Sequence, residues 1–302
     1  MAYRYLAMVA WVAWAPTGAA EPIALEVAGL ARRVEIQAPV GGEGVRPLVI
    51  ALHGLRQPVE NLRRDLSLDA LADRERFVVA YPHGIERRWN YGRQLVVAMP
   101  LLEGKRVDDI AFFRALIARL VASDRVDPRR IYLLGVSNGA LMAYRVACEM
   151  GQEIAAIAAF ISPMSDLQQE DCPPGSPIPL FILAGNADMA QSYLGASGPL
   201  QGRLVPVPDT VTFFRARYGC TGVRFEELPH RDPLDRTTIT LFRPQACPSG
   251  AEIVFYRVNG GGHRVPTLAS GNYEPHPQFG LANRDIDAAA EAWAFFRRFV
   301  RN

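Results

Sequence analysis

The chain has 302 residues, about half of them apolar, with 33 basic and 31 acidic side chains and a formal net charge of +2. That balance speaks against a nucleic-acid partner, and no basic run exceeds pairs such as Arg32-Arg33. Lys105 is the only lysine, which reflects codon usage rather than function.

Residues 1–20 read as a secretory signal peptide. Arg4 supplies a positive start, Tyr5 to Trp14 an apolar stretch, and Gly18, Ala19 and Ala20 a small-residue cleavage site. The apolar run falls short of the roughly 20 residues of a membrane-spanning helix. The competing reading is an uncleaved N-terminal anchor. Val34–Ala38, Leu48–Leu52 and Phe77–Tyr81 read as strands, and Leu48–Leu52 is apolar throughout, as in a strand buried on both faces. Asp108 to Ala122 reads as an amphipathic helix through Ile110, Phe113, Ile117 and Leu120, with Asp108 and Asp109 suiting its dipole. Asp127-Pro128 reads as a turn. Ile131–Leu134 is a strand, Ala140–Glu149 a helix, Ile154–Ile161 strand-like in its second half, and Pro179–Ala184 a buried strand. Residues 188–209 read as an ordered surface loop over a site. Ile253–Val258 is the last strand, and Asp287–Val300 a closing helix. The alternation predicts an α/β fold with a doubly wound, mostly parallel sheet and helices on both faces, in one catalytic domain over residues 21–302.

Gly135-Val136-Ser137-Asn138-Gly139 matches the G-x-S-x-G nucleophile elbow. It joins a strand to a helix, the setting that exposes the serine hydroxyl above a sheet. Ser137 is therefore the candidate nucleophile. The chain order serine, acid, histidine leaves His230, His263 and His276 as candidate bases. His263 follows Gly260-Gly261-Gly262 at the end of a late strand and is preferred; His276 reads as a loop residue and His230 as water-facing. Asp188 directly follows a buried strand and is the preferred acid, with Asp166 as its rival; Asp171 and Asp209 read as caps or turns. The oxyanion hole is expected from the backbone amides of Leu55, in Leu52-His53-Gly54-Leu55, and of Asn138. His53 is expected to be structural. Cys148, Cys172, Cys220 and Cys247 form an even set in a chain read as exported, which predicts disulfides. Proximity favours Cys148–Cys172 and Cys220–Cys247, each contributing about 3 kcal/mol in a loop-entropy account. No CxxC spacing suggests a metal site.

Several segments together resemble the secreted polyhydroxybutyrate depolymerase-like and feruloyl esterase-like enzymes of the α/β hydrolases. They are Leu52-His53-Gly54, Val79 to Gly84, Trp89-Asn90, Val107-Asp108-Asp109, Val126 to Arg130, the elbow, and Gly260 to His263. The resemblance implies a Ser137–Asp188–His263 triad, an ester substrate and the same cysteine pairs. It also implies that Trp89 lies near the active site, as a wall for an aromatic or hydroxyacyl group or as a packed core residue. Two departures, Met189 to Tyr193 after the acid and Arg264-Val265-Pro266 after the histidine, touch the pocket rim and put substrate identity in question. Arg264 reads either as a contact for an acidic substrate or as a solvated arginine.

The expected activity is cofactor-free and metal-free hydrolysis of short hydroxyalkanoate, feruloyl or acetyl esters through an acyl-enzyme, in the periplasm or outside the cell. A serine peptidase on the same scaffold and a non-catalytic binding protein are the competing classes.

Overall fold

The computed structural model describes residues 21–41, 44–92, 106–123, 125–175, 177–198, 202–232, 234–248, 250–268 and 275–301. The signal-peptide expectation falls outside them. The strands in chain order are β1 (Glu21–Val27), β2 (Leu30–Gln37), β3 (Arg46–Leu52), β4 (Val78–Pro82), β5 (Val126–Val136), β6 (Ala156–Phe160) and β7 (Leu180–Gly185). They continue with β8 (Ala196–Gly198), β9 (Gly202–Leu204), β10 (Arg224–Glu227), β11 (Thr238–Arg243) and β12 (Ile253–Asn259). The helices are α1 (Val59–Leu66), α2 (Leu68–Glu75), α3 (Asp109–Val121), α4 (Asn138–Glu149), α5 (Asp166–Asp171), α6 (Val207–Arg217) and α7 (Ala288–Phe296).

Ten strands form one sheet in the order β1-β2-β4-β3-β5-β6-β7-β12-β11-β10. The six from β4 to β12 run parallel, and antiparallel strands extend both edges. The central strands alternate sides although both faces are apolar. Leu48, Ile50 and Leu52 pack under α3 and α4 with Phe113, Leu116 and Tyr144. Val49 and Ala51 pack with α1, α2 and α7 through Leu62, Leu71, Trp293 and Phe296. This is the doubly wound α/β arrangement expected from the sequence.

Local differences have physical causes. Asp127-Pro128 is not a free turn but lies inside β5, where the pairing with β3 shifts register between Arg46 and Leu48. The Asp127 carboxylate accepts the Arg129 amide, a turn-like bond within an irregular strand start. The closing helix is shorter than predicted and starts where the Asp287 side chain caps the Ala290 amide. Within residues 188–209 the described part includes a small hairpin, β8 against β9, and Asp209 sits in the first turn of α6. Two disulfides, Cys148–Cys172 and Cys220–Cys247, tie the ends of α4 and α5 and the segments after α6 and β11.

Candidate active site

The site stands on the C-terminal ends of the parallel strands. β5 ends in Val136, and Ser137 follows with φ 55° and ψ −114°, a region that side-chain-bearing residues rarely occupy. Such a conformation costs about 1–3 kcal/mol and survives only where its surroundings enforce it. Here Ser137 N–H donates to the Phe160 carbonyl at 2.9 Å, and its own carbonyl accepts from Ala140. The turn also needs bare backbone. A Cβ on Gly135 would meet the Gly139 oxygen at 2.1 Å, and one on Gly139 would meet the Leu52 oxygen at 2.4 Å.

Asp188 follows β7 and His263 follows β12, the adjacent strand. The loops after these strands are bonded to each other: Asn186 N–H donates to Val258 O, Ala187 N–H to Gly261 O, and Gly260 N–H to the Asn186 side chain. A Cβ on Gly185 would lie 2.2 Å from the Gly261 oxygen, so the two chain segments touch without side chains between them. His263 Nε2 lies 3.0 Å from Ser137 Oγ, and His263 Nδ1 lies 2.7 Å from Asp188 Oδ2. Asp188 Oδ1 meanwhile accepts the amides of Ala190 and Gln191, which fixes the carboxylate plane. The Asp188 side chain is 2% exposed and that of His263 11%.

The rival acid and bases stand outside the Ser137–His263–Asp188 chain of contacts. Asp166 opens α5 and bonds the Leu167 amide. His276 closes a tight turn with Gly280. His230 is exposed, as expected, and its Nδ1 lies 3.2 Å from Asp285, a carboxylate buried among Asn283 and Arg231 amide contacts.

The Leu52–Leu55 loop runs beside the serine. A Cβ on Gly54 would lie 3.5 Å from Ser137 Cβ. Among the described residues no acceptor takes the amides of Leu55 or Asn138. His53 is buried beneath this loop. Its Nε2 accepts the Gly84 amide at 3.0 Å and its Nδ1 is 2.7 Å from Gly54 O, so the ring proton sits on Nδ1. Burial pushes this imidazole down to about 4, which keeps it neutral.

Trp89 is fully buried, which favours the packed-core reading over the substrate wall. Its ring packs between His53 and Phe113, its Nε1–H donates to His53 O, and its amide donates to Asn138 Oδ1. It therefore joins the two loops that carry Leu55 and Asn138. The next residue extends the brace, since Asn90 N–H donates to Asp109 Oδ2 at 2.6 Å. Asp109 in turn pairs with Arg32 at 2.6 Å, with both side chains out of solvent and Arg32 stacked 3.8 Å over Phe112. Burial raises the Asp109 carboxyl, against the opposing pull of Arg32. Sequence reasoning missed this pair. Asp108 caps the Ala111 amide and Asp109 lies in the first turn of α3, both at the helix start as expected, and the one signal for the pair was that Asp109 sits beside an apolar stripe.

A family model described as esterase PHB depolymerase matches residues 36–163. NocK of Nocardia uniformis subsp. tsuyamanensis, named as an esterase, is 31% identical over 301 residues, 94% of this chain and 83% of its own. The chain belongs to the polyhydroxybutyrate depolymerase-like esterase family of α/β hydrolases. This esterase is also 26% identical to feruloyl esterase B of Piromyces equi and 24% identical to the bifunctional acetylxylan esterase/xylanase XynS20E of Neocallimastix patriciarum. The two matches cover 77% and 78% of the esterase but only 42% and 31% of those longer proteins. Among solved structures, a thermostable esterase superposes with TM-score 0.56 at 14% identity, covering 93% of this chain and 63% of its own. The acetyl xylan esterase of Aspergillus awamori gives 0.54 at 15%, covering 78% and 89%. At such identities these two show the shared fold. With the family, they make the protein a carboxylic ester hydrolase of α/β-hydrolase architecture.

Apolar side chains adjoin the esterase's site. Leu55, in the loop beside the serine, Met189, next to Asp188, and Phe279 are all exposed, and the Phe279 ring lies 5.9 Å from that of His263. Phe279 is held there because Gly262 N–H donates to Leu281 O, and a Cβ on Gly262 would strike the Phe279 oxygen at 2.0 Å. Nothing in the glycine-rich approach to His263 announces this partner, since Phe279 lies 16 residues further along.

Among the described residues no group of three or more His, Cys, Asp or Glu side chains could hold a metal ion. No described helix is long and apolar enough to cross a membrane.

Proposed function

We infer that the protein is an exported serine esterase that works through an acyl-enzyme on Ser137. The observation that carries this reading is the 3.0 Å and 2.7 Å chain from Ser137 Oγ through His263 to Asp188, built on a strained elbow. His263 Nε2 takes the serine proton as Oγ attacks the ester carbonyl. Asp188 holds the Nδ1 proton and stabilises the imidazolium. The carbonyl oxygen becomes an oxyanion, which accepts hydrogen bonds from the Leu55 amide and from the Asn138 amide at the start of α4, where the helix dipole favours negative charge. His263 then protonates the leaving alcohol. Water, deprotonated by the same imidazole, attacks the acyl-enzyme, and the acid leaves as Ser137 regains its proton.

Short hydroxyalkanoate, feruloyl and acetyl esters are the candidate substrates. The names of two relatives point to feruloyl and acetylxylan esters, and the apolar rim suits a substrate with a hydrocarbon or aryl part. Two disulfides fit an oxidising compartment outside the cytoplasm.

Ser137→Ala is expected to reduce hydrolysis of p-nitrophenyl butyrate by roughly 10⁴-fold or more while the circular dichroism spectrum is retained. Full activity in that variant overturns the assignment. Hydroxybutyrate oligomers, methyl ferulate and acetylated xylan, assayed side by side, rank the substrates.

A further inference from the structure

A cleft of about 240 Å³ opens between α6 and the outer strands β11 and β12. Its floor is hydrocarbon and aromatic: Val211 from α6, Phe242 from β11, and Ile253 and Phe255 from β12, with the two phenylalanines stacked at 5.5 Å. Arg215 and Arg257 edge this floor. The hydrogen bonds that hold them go to neutral groups. Arg215 donates to the Gly222 carbonyl, and its buried Nε has no partner among the described residues. Arg257 donates to the Asn259 side-chain oxygen and the Thr240 hydroxyl, and lies 5.1 Å over Phe242. Arg243, at the rim, is different: it pairs with Glu252, a carboxylate already shared with Arg298. The cleft thus presents two guanidinium groups beside an apolar slot, with no acidic side chain among its lining residues.

That combination is complementary to a carboxylate on a short alkyl or aryl body. We propose that the cleft is a second ligand site that binds such a monocarboxylate, the class of product released at Ser137. Only the source of the acid rests on the esterase reading. The lining includes none of Ser137, Asp188 and His263, and the cleft runs along β12 from Ile253, paired with Leu180 at the start of β7, to Arg257, paired with Ala184 near that strand's end. It is nevertheless bounded by both segments that reach the catalytic cluster. Tyr193, on its wall, comes five residues after Asp188, and β12 leaves the cleft to run into Gly260–His263. A bound acid therefore bears on the segments that hold Asp188 and His263.

Octanoate titrated calorimetrically into the full-length Ser137→Ala protein tests the proposal, with octanol as the uncharged control. Saturable one-to-one binding of octanoate is expected, with octanol weaker by roughly tenfold or more. Wild-type protein capped at the serine by a fluorophosphonate should bind octanoate equally well. The double variant Arg215→Met/Arg257→Met should weaken octanoate by roughly tenfold or more, with p-nitrophenyl acetate hydrolysis unchanged in the otherwise wild-type background. Val211→Trp, which fills the slot, should produce the same loss and serves if the double variant does not fold. Equal binding of octanol, loss of binding on capping, or unchanged affinity in both variants overturns the site. A serine that refuses the fluorophosphonate would sink the catalytic reading, yet the titration of Ser137→Ala would still be interpretable.

Discussion

The two sides of the active site are built differently. On the oxyanion side, Arg32, Asp109, Trp89 and His53 form a continuous chain of buried polar contacts, each side chain almost entirely out of water. On the acid–histidine side, Met189, next to Asp188, is 83% exposed and Phe279, beside the His263 ring, 39%. In the proposed mechanism the first side carries groups whose position must not change, since amides aimed at a developing oxyanion act through preorganisation. On the same proposal the second side meets the substrate through hydrophobic, non-directional contacts. Catalytic geometry and substrate choice are, in this proposal, assigned to opposite walls.

The sharpest way to break this division is Arg32→Met. It leaves Asp109 buried without its cation, and removing one member of a buried pair costs about 3–5 kcal/mol. Urea unfolding reads that loss, and kcat should fall as well, because Asp109 holds the Asn90 amide next to Trp89. A variant that keeps wild-type stability and kcat would show that the brace is incidental.

Acid should weaken the same wall. His53 is held near 4 in the fold, below the value near 6.5 of an unfolded histidine, so the unfolded chain binds the proton first as pH falls. The stability contribution is complete above about 6.5 and is lost toward 4, amounting to about 2 kcal/mol by pH 5. Denaturant midpoints at pH 7 and pH 5 should separate accordingly, and His53→Gln should narrow the gap. An unchanged gap in that variant would assign the acid sensitivity to other groups.

Substitutions on the opposite wall should alter selectivity and spare the fold. Phe279→Ala is expected to lower kcat/KM for aryl esters relative to ethyl acetate by roughly tenfold, chiefly through KM. Met189→Ala should have the smallest effect, with stability changed by less than about 0.5 kcal/mol and selectivity moved less than by Phe279→Ala. Equal losses on all substrates would place either residue in the catalytic frame instead.

This division also marks what could be read from the chain. The central strands announced themselves as unbroken apolar runs, and Ser137, Asp188 and His263 each follow such a run within a few residues, so local pattern reached them. The edge strand β10, Arg224–Glu227, is exposed along its whole length and carries no alternation to detect. The α1–α2 pair is short and rich in charge, with apolar anchors only at positions such as Val59, Leu62, Leu66 and Leu71. Trp89 was located near the site, but whether it faced substrate or core depended on Phe113 and His53, which are remote in sequence. Phe279 and the Arg32–Asp109 pair also depend on contacts across long stretches of chain, which periodicity does not encode.

The contact between Gly185 and Gly261 has a consequence for how the esterase can change over time. The gap between the Asp188 and His263 loops is one backbone thickness, so their spacing is set by main chain and not by side-chain packing. The same arrangement leaves no gradual route at those two glycines. A methyl group at Gly185 would strike the Gly261 backbone and wedge the loops apart, and one at Gly261 would strike the Val258 side chain, so variation is cheaper at the outer rim than at either glycine.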